Sequence, residues 1–203
     1  MSNNIAKRIK ERFNQLSEVY GIKRITIDIL AEECGISKKT FYKIFRSKDD
    51  LVWIVVNEKF DRLQKEFREI DTHERDPLKK LYRFVEITLE QFGAVSTPML
   101  QDMQKFYPEV NEQLERFRND RVNLIKEAVR EGILSGIFEN INLSIVAGFL
   151  TGAISKVLTP EFILENNLSV KETLRSFSEL FLFGIVKKEW QKQKLPQVSG
   201  NTV

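Results

Sequence analysis

The chain of 203 residues holds one cysteine, Cys34, and one histidine, His73. A single cysteine excludes an internal disulfide and any zinc site built on a cysteine cluster, and it is expected to be a buried, inert thiol in a reducing compartment. His73 stands in a charged stretch between Thr72 and Glu74 and is expected to be solvated. No Gly-rich phosphate loop, metal-ligand spacing or nucleophile elbow is present, so no catalysis, metal or cofactor is expected. No run approaches the roughly 18 to 20 apolar residues of a membrane span. The first residues, Met1 to Arg8, lack an apolar signal core, and a cytoplasmic location is expected. Alternating strand patterns, internal repeats and low-complexity tracts are also missing.

What is present is a helical, unevenly charged chain. Apolar residues make up 42% and charged residues 30%, enough for a sizeable core in a water-soluble chain. Residues 1–50 carry 11 Lys/Arg against 7 Asp/Glu, whereas the other 153 carry 21 against 22. The whole cationic surplus therefore sits in the first quarter, which suits a module that meets polyanions. Ile5, Ile9, Phe13, Leu16 and Tyr20 recur at helical spacing, and Gly21 ends that helix. Thr26 and Ser37 are candidate caps for two short helices, the second ending near Phe45, and Ser47 for a long one running through Leu51, Val55, Phe60, Leu63 and Phe67. Residues 69–76 read as a charged loop, and Pro77 fits the first turn of the next helix. Residues 93–98 read as a break, Pro108 opens a long helix that ends at 132–136, and further helices are expected over 142–158 and 169–191. The fold class is all-α: an N-terminal three-helix module over 1–47, a larger helical body over 48–194, and a disordered tail over 195–203.

Residues 21–51 carry the most information. They read as two short helices joined by a tight turn at Gly35, packed through Leu30, Ala31, Ile36, Phe41 and Phe45. The turn presents a helix with Lys38, Lys39, Thr40 and Lys43 on its outer face, suited to a major groove about 12 Å wide. The hydroxyls of Thr26 and Tyr42, and Lys48 at the head of the long helix, suit phosphate oxygens. A solvated basic face and an ordinary helical hairpin would explain some of these residues. Neither explains Thr26, Tyr42 and Lys48 together.

The segment resembles the TetR family of bacterial one-component regulators. The resemblance rests on Thr26, Leu30, Ala31, Gly35, Ile36, Ser37, Thr40, Phe41, Tyr42, Phe45, Ser47, Lys48 and Leu51. Cys34, Lys39 and Ile44 depart from the usual Ala, Gly and His/Tyr, and Lys39 is the departure expected to alter which bases are read. The resemblance implies a DNA-binding set of Thr26, Ser37, Lys38, Lys39, Thr40, Tyr42, Lys43 and Lys48 on double-stranded operator DNA. It also implies a homodimer, and repression relieved by a small effector, apolar or amphipathic. An architectural or protein-interaction helix-turn-helix dimer without an inducer is the alternative.

The segment Phe177 to Val186 is apolar all the way round a helix, so a partner face is expected, although a monomer could bury it centrally. With the small residues of the preceding helix, this nominates Phe149, Gly152, Ala153, Phe177, Phe181 and Ile185 for a dimer interface. The resemblance implies an effector pocket among the central helices, for which the large adaptable side chains between 77 and 135 offer Phe84, Met99, Met103, Phe106, Tyr107 and Phe117, with ordinary core as the competing reading.

Overall fold

The computed structural model describes residues 2–190, and the expected tail over 195–203 lies outside them. Ten helices are described: α1 (Ser2–Tyr20), α2 (Ile27–Glu33), α3 (Lys38–Tyr42), α4 (Lys48–His73), α5 (Pro77–Phe92), α6 (Thr97–Phe106), α7 (Pro108–Leu134), α8 (Leu143–Val157), α9 (Pro160–Glu165) and α10 (Val170–Ile185). The chain is all-α, with an isolated antiparallel bridge between Phe138 and Val186. Among the described residues no helix is long and apolar enough to cross a membrane.

Packing divides the chain into two compact units, one of residues 1–64 with 95–114 and the other of 65–94 with 115–203. Continuous helices α4 and α7 therefore each contribute to both. This grouping is not sequential: residues 48–64 and α6 pack with the N-terminal helices rather than with the remainder.

The first unit closes on Ile9, Phe13, Ile22, Ile25, Leu30, Phe41, Phe45, Leu51 and Val55. Ile9 and Phe13 come from the apolar stripe of α1, whose cations pair outward: Lys10 with Glu58 at 2.6 Å, and Arg12 with Glu33. Helix α6 begins where Ser96 accepts from the Met99 N–H, within a segment read from sequence as a break. It packs on α1, and Asp102 accepts the Lys23 N–H at 2.7 Å while the Lys23 ammonium sits 4.7 Å from the Phe106 ring centroid.

The second unit closes on Phe67, Leu81, Phe84, Val129, Phe138, Leu150, Phe181, Leu182 and Ile185. A buried cation, Lys80, donates to Glu131 at 2.9 Å and Asp71 at 3.2 Å, joining α5 to α7 and to the end of α4. Two expectations need correction here. Residues 69–73 are helical rather than a loop, because Ile70 extends the buried stripe of Leu63 and Phe67 by one more turn. His73 is thus the last residue of α4, its Nδ1 2.8 Å from the Glu69 carbonyl. The last helix stops at Ile185 instead of 191, because the chain turns into the Phe138–Val186 bridge, where Glu139 donates to the Ile185 carbonyl at 2.8 Å.

Candidate nucleic-acid interface

Local chemistry fixes the geometry of α2 and α3. Thr26 accepts from the Ile29 N–H at 3.2 Å and Ser37 from the Thr40 N–H at 3.1 Å, each relieving an otherwise unpaired donor at a helix start. Between the helices Gly35 adopts φ +57°, a left-handed conformation that costs glycine little. Phe41, fully buried, ties α3 to the core through Phe45 at 5.4 Å between ring centroids.

With Phe41 inward, Lys38, Lys39, Tyr42 and Lys43 are exposed and Thr40 is half-buried. Lys38 is paired with Asp28 of α2, whereas Lys39 and Lys43 make no ion pair among the described residues. Tyr42 is 55% exposed, its ring edge-on to Phe41. The Ser37 and Thr40 hydroxyls lie 2.9 Å apart, so both already serve the cap.

Lys48 is placed differently from the sequence expectation. Its ammonium donates to the carbonyls of Ile22 and Ile25 at 3.1 Å each and approaches that of Lys23 at 3.4 Å. An ammonium has three donors, so its bonding capacity is taken up by the loop between α1 and α2. Burial pushes its pKa below the ordinary lysine value, with Asp49 and Asp102 opposing the shift. The loop it braces carries Arg24, an exposed cation two residues before the Thr26 cap that the sequence reading passed over. The adjacent basic pair Lys23-Arg24 was the available signal. Cys34 is buried at the end of α2, and burial pushes its thiol pKa up, away from the reactive thiolate.

The nominated effector-binding residues divide between the units. Met99, Met103 and Tyr107 pack against the core of the first, and Tyr107 donates to Asp49 at 3.0 Å. Phe106 is exposed beside Lys23. Phe84 and Phe117 belong to the core of the second unit. The nominated interface residues also divide. Phe181 and Ile185 are buried inside the protomer, Phe177 and Ala153 are half-buried, and Phe149 and Gly152 are exposed. The outward apolar positions that sequence reading missed are Ile145, Leu180 and Phe183.

A family model described as bacterial regulatory proteins, tetR family, matches residues 15–52, the span from late α1 into α4. An uncharacterised HTH-type transcriptional regulator of Bacillus subtilis, YvaF, is 28% identical over 167 residues, covering 81% of this chain and 87% of that protein. The chain belongs to the TetR family of DNA-binding transcriptional regulators. Solved structures share its fold. A transcriptional regulator from Saccharomonospora viridis in complex with choline superposes with a TM-score of 0.69 at 19% identity, covering 92% of this TetR-family chain and 100% of that one. FadR from Bacillus subtilis in complex with stearoyl-CoA gives 0.61 at 16% identity, covering 88% and 98%.

Proposed function

We propose that this TetR-family regulator is a cytoplasmic homodimeric repressor that leaves a pseudo-palindromic operator when a small molecule binds. The carrying observation is the exposed, unpaired cationic face of Lys39 and Lys43 on an α3 fixed by its cap and by Phe41. In this reading residues 1–47 form the DNA-binding domain and 48–194 the regulatory and dimerisation domain. Lys39, Thr40 and Lys43 reach base edges, while Arg24, Thr26, Ser37, Lys38 and Tyr42 meet phosphate and fix the register. Lys48 acts indirectly, by holding the loop that presents Arg24 and Thr26.

Dimerisation is supported by the outward faces of α8 and α10. Ile145, Phe149, Leu180 and Phe183 are exposed there, and a Cβ built on Gly148, Gly152 or Gly184 meets nothing within 4 Å. Large apolar side chains next to glycines with open space suit close approach of a second copy. Such an isologous pair carries two reading helices, matching the two-fold symmetry of an inverted repeat. Effector response is supported by the similarly folded regulators holding choline or stearoyl-CoA. Such an effector must bind the DNA-incompetent state better, since only differential affinity shifts the equilibrium.

The test is selection of bound duplexes from a random pool at about 150 mM salt, where non-specific phosphate binding is weakened. Recovery of one inverted-repeat motif is expected. Recovery without a shared motif would favour an architectural DNA-coating role, and no recovery at low salt would overturn the reading.

A further inference from the structure

Arg121, on α7, is 9% exposed in the interior of the second unit. Its guanidinium carbon lies 4.8 Å from the ring centroids of both Phe67 and Phe117. The two ring planes stand 81° apart, so the guanidinium lies flat on at most one of them, and neither ring supplies a nitrogen or oxygen acceptor. The in-plane N–H groups remain, and both Nε and Nη1 are buried without an acceptor. Burial pushes the guanidinium pKa down from its ordinary value, opposed by Asp120 and reinforced by Arg68. An arginine nonetheless keeps its proton in proteins, so this core holds a charge with two of its nitrogens unpartnered. Removing such a group from water is unfavourable unless a partner compensates it.

The surroundings define what that partner would be. Phe67 meets Phe84 tilted at 5.2 Å between ring centroids and Phe117 edge-on at 6.1 Å, and Phe117 meets Phe92 tilted at 6.0 Å. Phe67 and Phe84 are buried, whereas Phe92 and Phe117 are only partly so. An in-plane anion beside partly covered aromatic rings is an amphipathic requirement: a headgroup for the guanidinium and an apolar body for the phenyl faces. A carboxylate satisfies the planar fork with two parallel hydrogen bonds. The guanidinium itself is the charge that selects the ligand: its N–H groups can only donate, so they suit an anion and cannot serve an ammonium.

We propose that Arg121 anchors the carboxylate of an apolar organic acid whose body lies against Phe117 and Phe92, and that this acid is the effector class of the regulator. The site itself needs only the regulatory unit; its role as effector rests on the repressor reading above.

The test is calorimetric titration of the full-length, DNA-free protein with octanoate and 3-phenylpropanoate, each beside its matched alcohol and ammonium compound. The acids are expected to bind at least about tenfold tighter than the alcohols, and the ammonium compounds weakest. In Arg121→Met the acid preference should fall to within about twofold of the alcohol; Arg121→Lys, which keeps the charge but not the fork, should retain part of it. The proposal is overturned if neither acid binds, if the acids bind no tighter than their alcohols, or if Arg121→Met lowers the melting temperature while the preference persists. Operator release is measured separately. Acid binding through Arg121 without release would keep the site and remove its effector role, whereas failure to bind DNA at all would remove the repressor reading alone.

Discussion

In the unit that carries the helix-turn-helix, the large apolar side chains of α2 and α3 turn inward apart from Ile29 and Tyr42, and the cationic side chains stay in water. The second unit reverses this. It leaves Ile145, Phe149, Leu180 and Phe183 exposed and keeps Arg121 buried with its Nε and Nη1 lacking acceptors. The helix-turn-helix is thus capped and packed internally and has charge left over for a polyanion. The second is incomplete in two ways, with apolar surface that water disfavours and a core cation that the protein does not pair. A partner that binds the first adds to a finished structure, while partners of the second complete an unfinished one. Perturbations should therefore differ in kind between them.

The largest expected effect comes from breaking the first unit's internal completeness. Phe41→Ala removes a fully buried ring that fixes α3 and should cost about 3–5 kcal/mol in urea unfolding, with operator binding lost because the reading helix is no longer held. Next, Leu180→Asp strikes a residue 70% exposed in the protomer. It should leave the monomer's fold intact by circular dichroism, convert dimer to monomer in sedimentation, and weaken operator binding by about 100-fold or more through lost bivalency. A dimer that survives Leu180→Asp would place the exposed face outside the interface and remove half of the contrast drawn above.

The same contrast explains what could be read from sequence. The DNA-binding segment was legible because its determinants are local: Thr26 and Ser37 cap helices three residues ahead of the N–H groups they accept from, and Gly35 makes the turn. Lys48 escaped because its three carbonyl partners lie 23 to 26 residues back in the chain, in a loop with no pattern of its own. In the second unit the face of α10 could not be phased, since Phe177, Leu180, Phe181, Phe183 and Ile185 surround the helix; the structure buries Phe181 and Ile185 and leaves Leu180 and Phe183 outside. Met99, Met103 and Tyr107 were nominated together with Phe84 and Phe117 by proximity along the chain. The packing of α6 on α1 assigns the first three elsewhere, and such long-range pairing leaves no periodic trace. Arg121 stands among the charged residues of α7 with no sequence signal that sets it apart, because its burial comes from packing against Phe67 of another helix.

A smaller effect should follow from the leftover charge. Lys43→Ala is expected to cost about 1–3 kcal/mol on the operator and much less on random DNA, because a base-edge contact carries discrimination. Arg24→Ala should weaken both by similar factors and lower the salt dependence of binding by about one ion. Competition binding over a salt series separates them. Equal losses on specific and random DNA for Lys43→Ala would move that lysine to the phosphate set.

The smallest effects isolate the contrast most cleanly, because identical chemistry occurs in both units. Thr26 caps α2 in one, and Ser169 caps α10 in the other, where Glu172 reaches back to complete a capping box. Thr26→Ala and Ser169→Ala should each cost about 1 kcal/mol of stability, visible as similar small falls in melting temperature. Only Thr26→Ala should also weaken operator binding, since its hydroxyl both orders α2 and faces phosphate in the proposed complex. The pH response of the two caps should differ as well. Hydrogen bonds from Ser169 hold the Glu172 carboxyl below its ordinary pKa. The contribution of that cap is therefore present above the unfolded carboxylate pKa and fades as pH falls through the depressed value. The Thr26 hydroxyl does not titrate there, so the stability difference between wild type and Thr26→Ala should stay level over the same acid range, while that for Ser169→Ala shrinks. A Ser169→Ala variant with weakened DNA binding would mean that the two units do not answer to their partners separately.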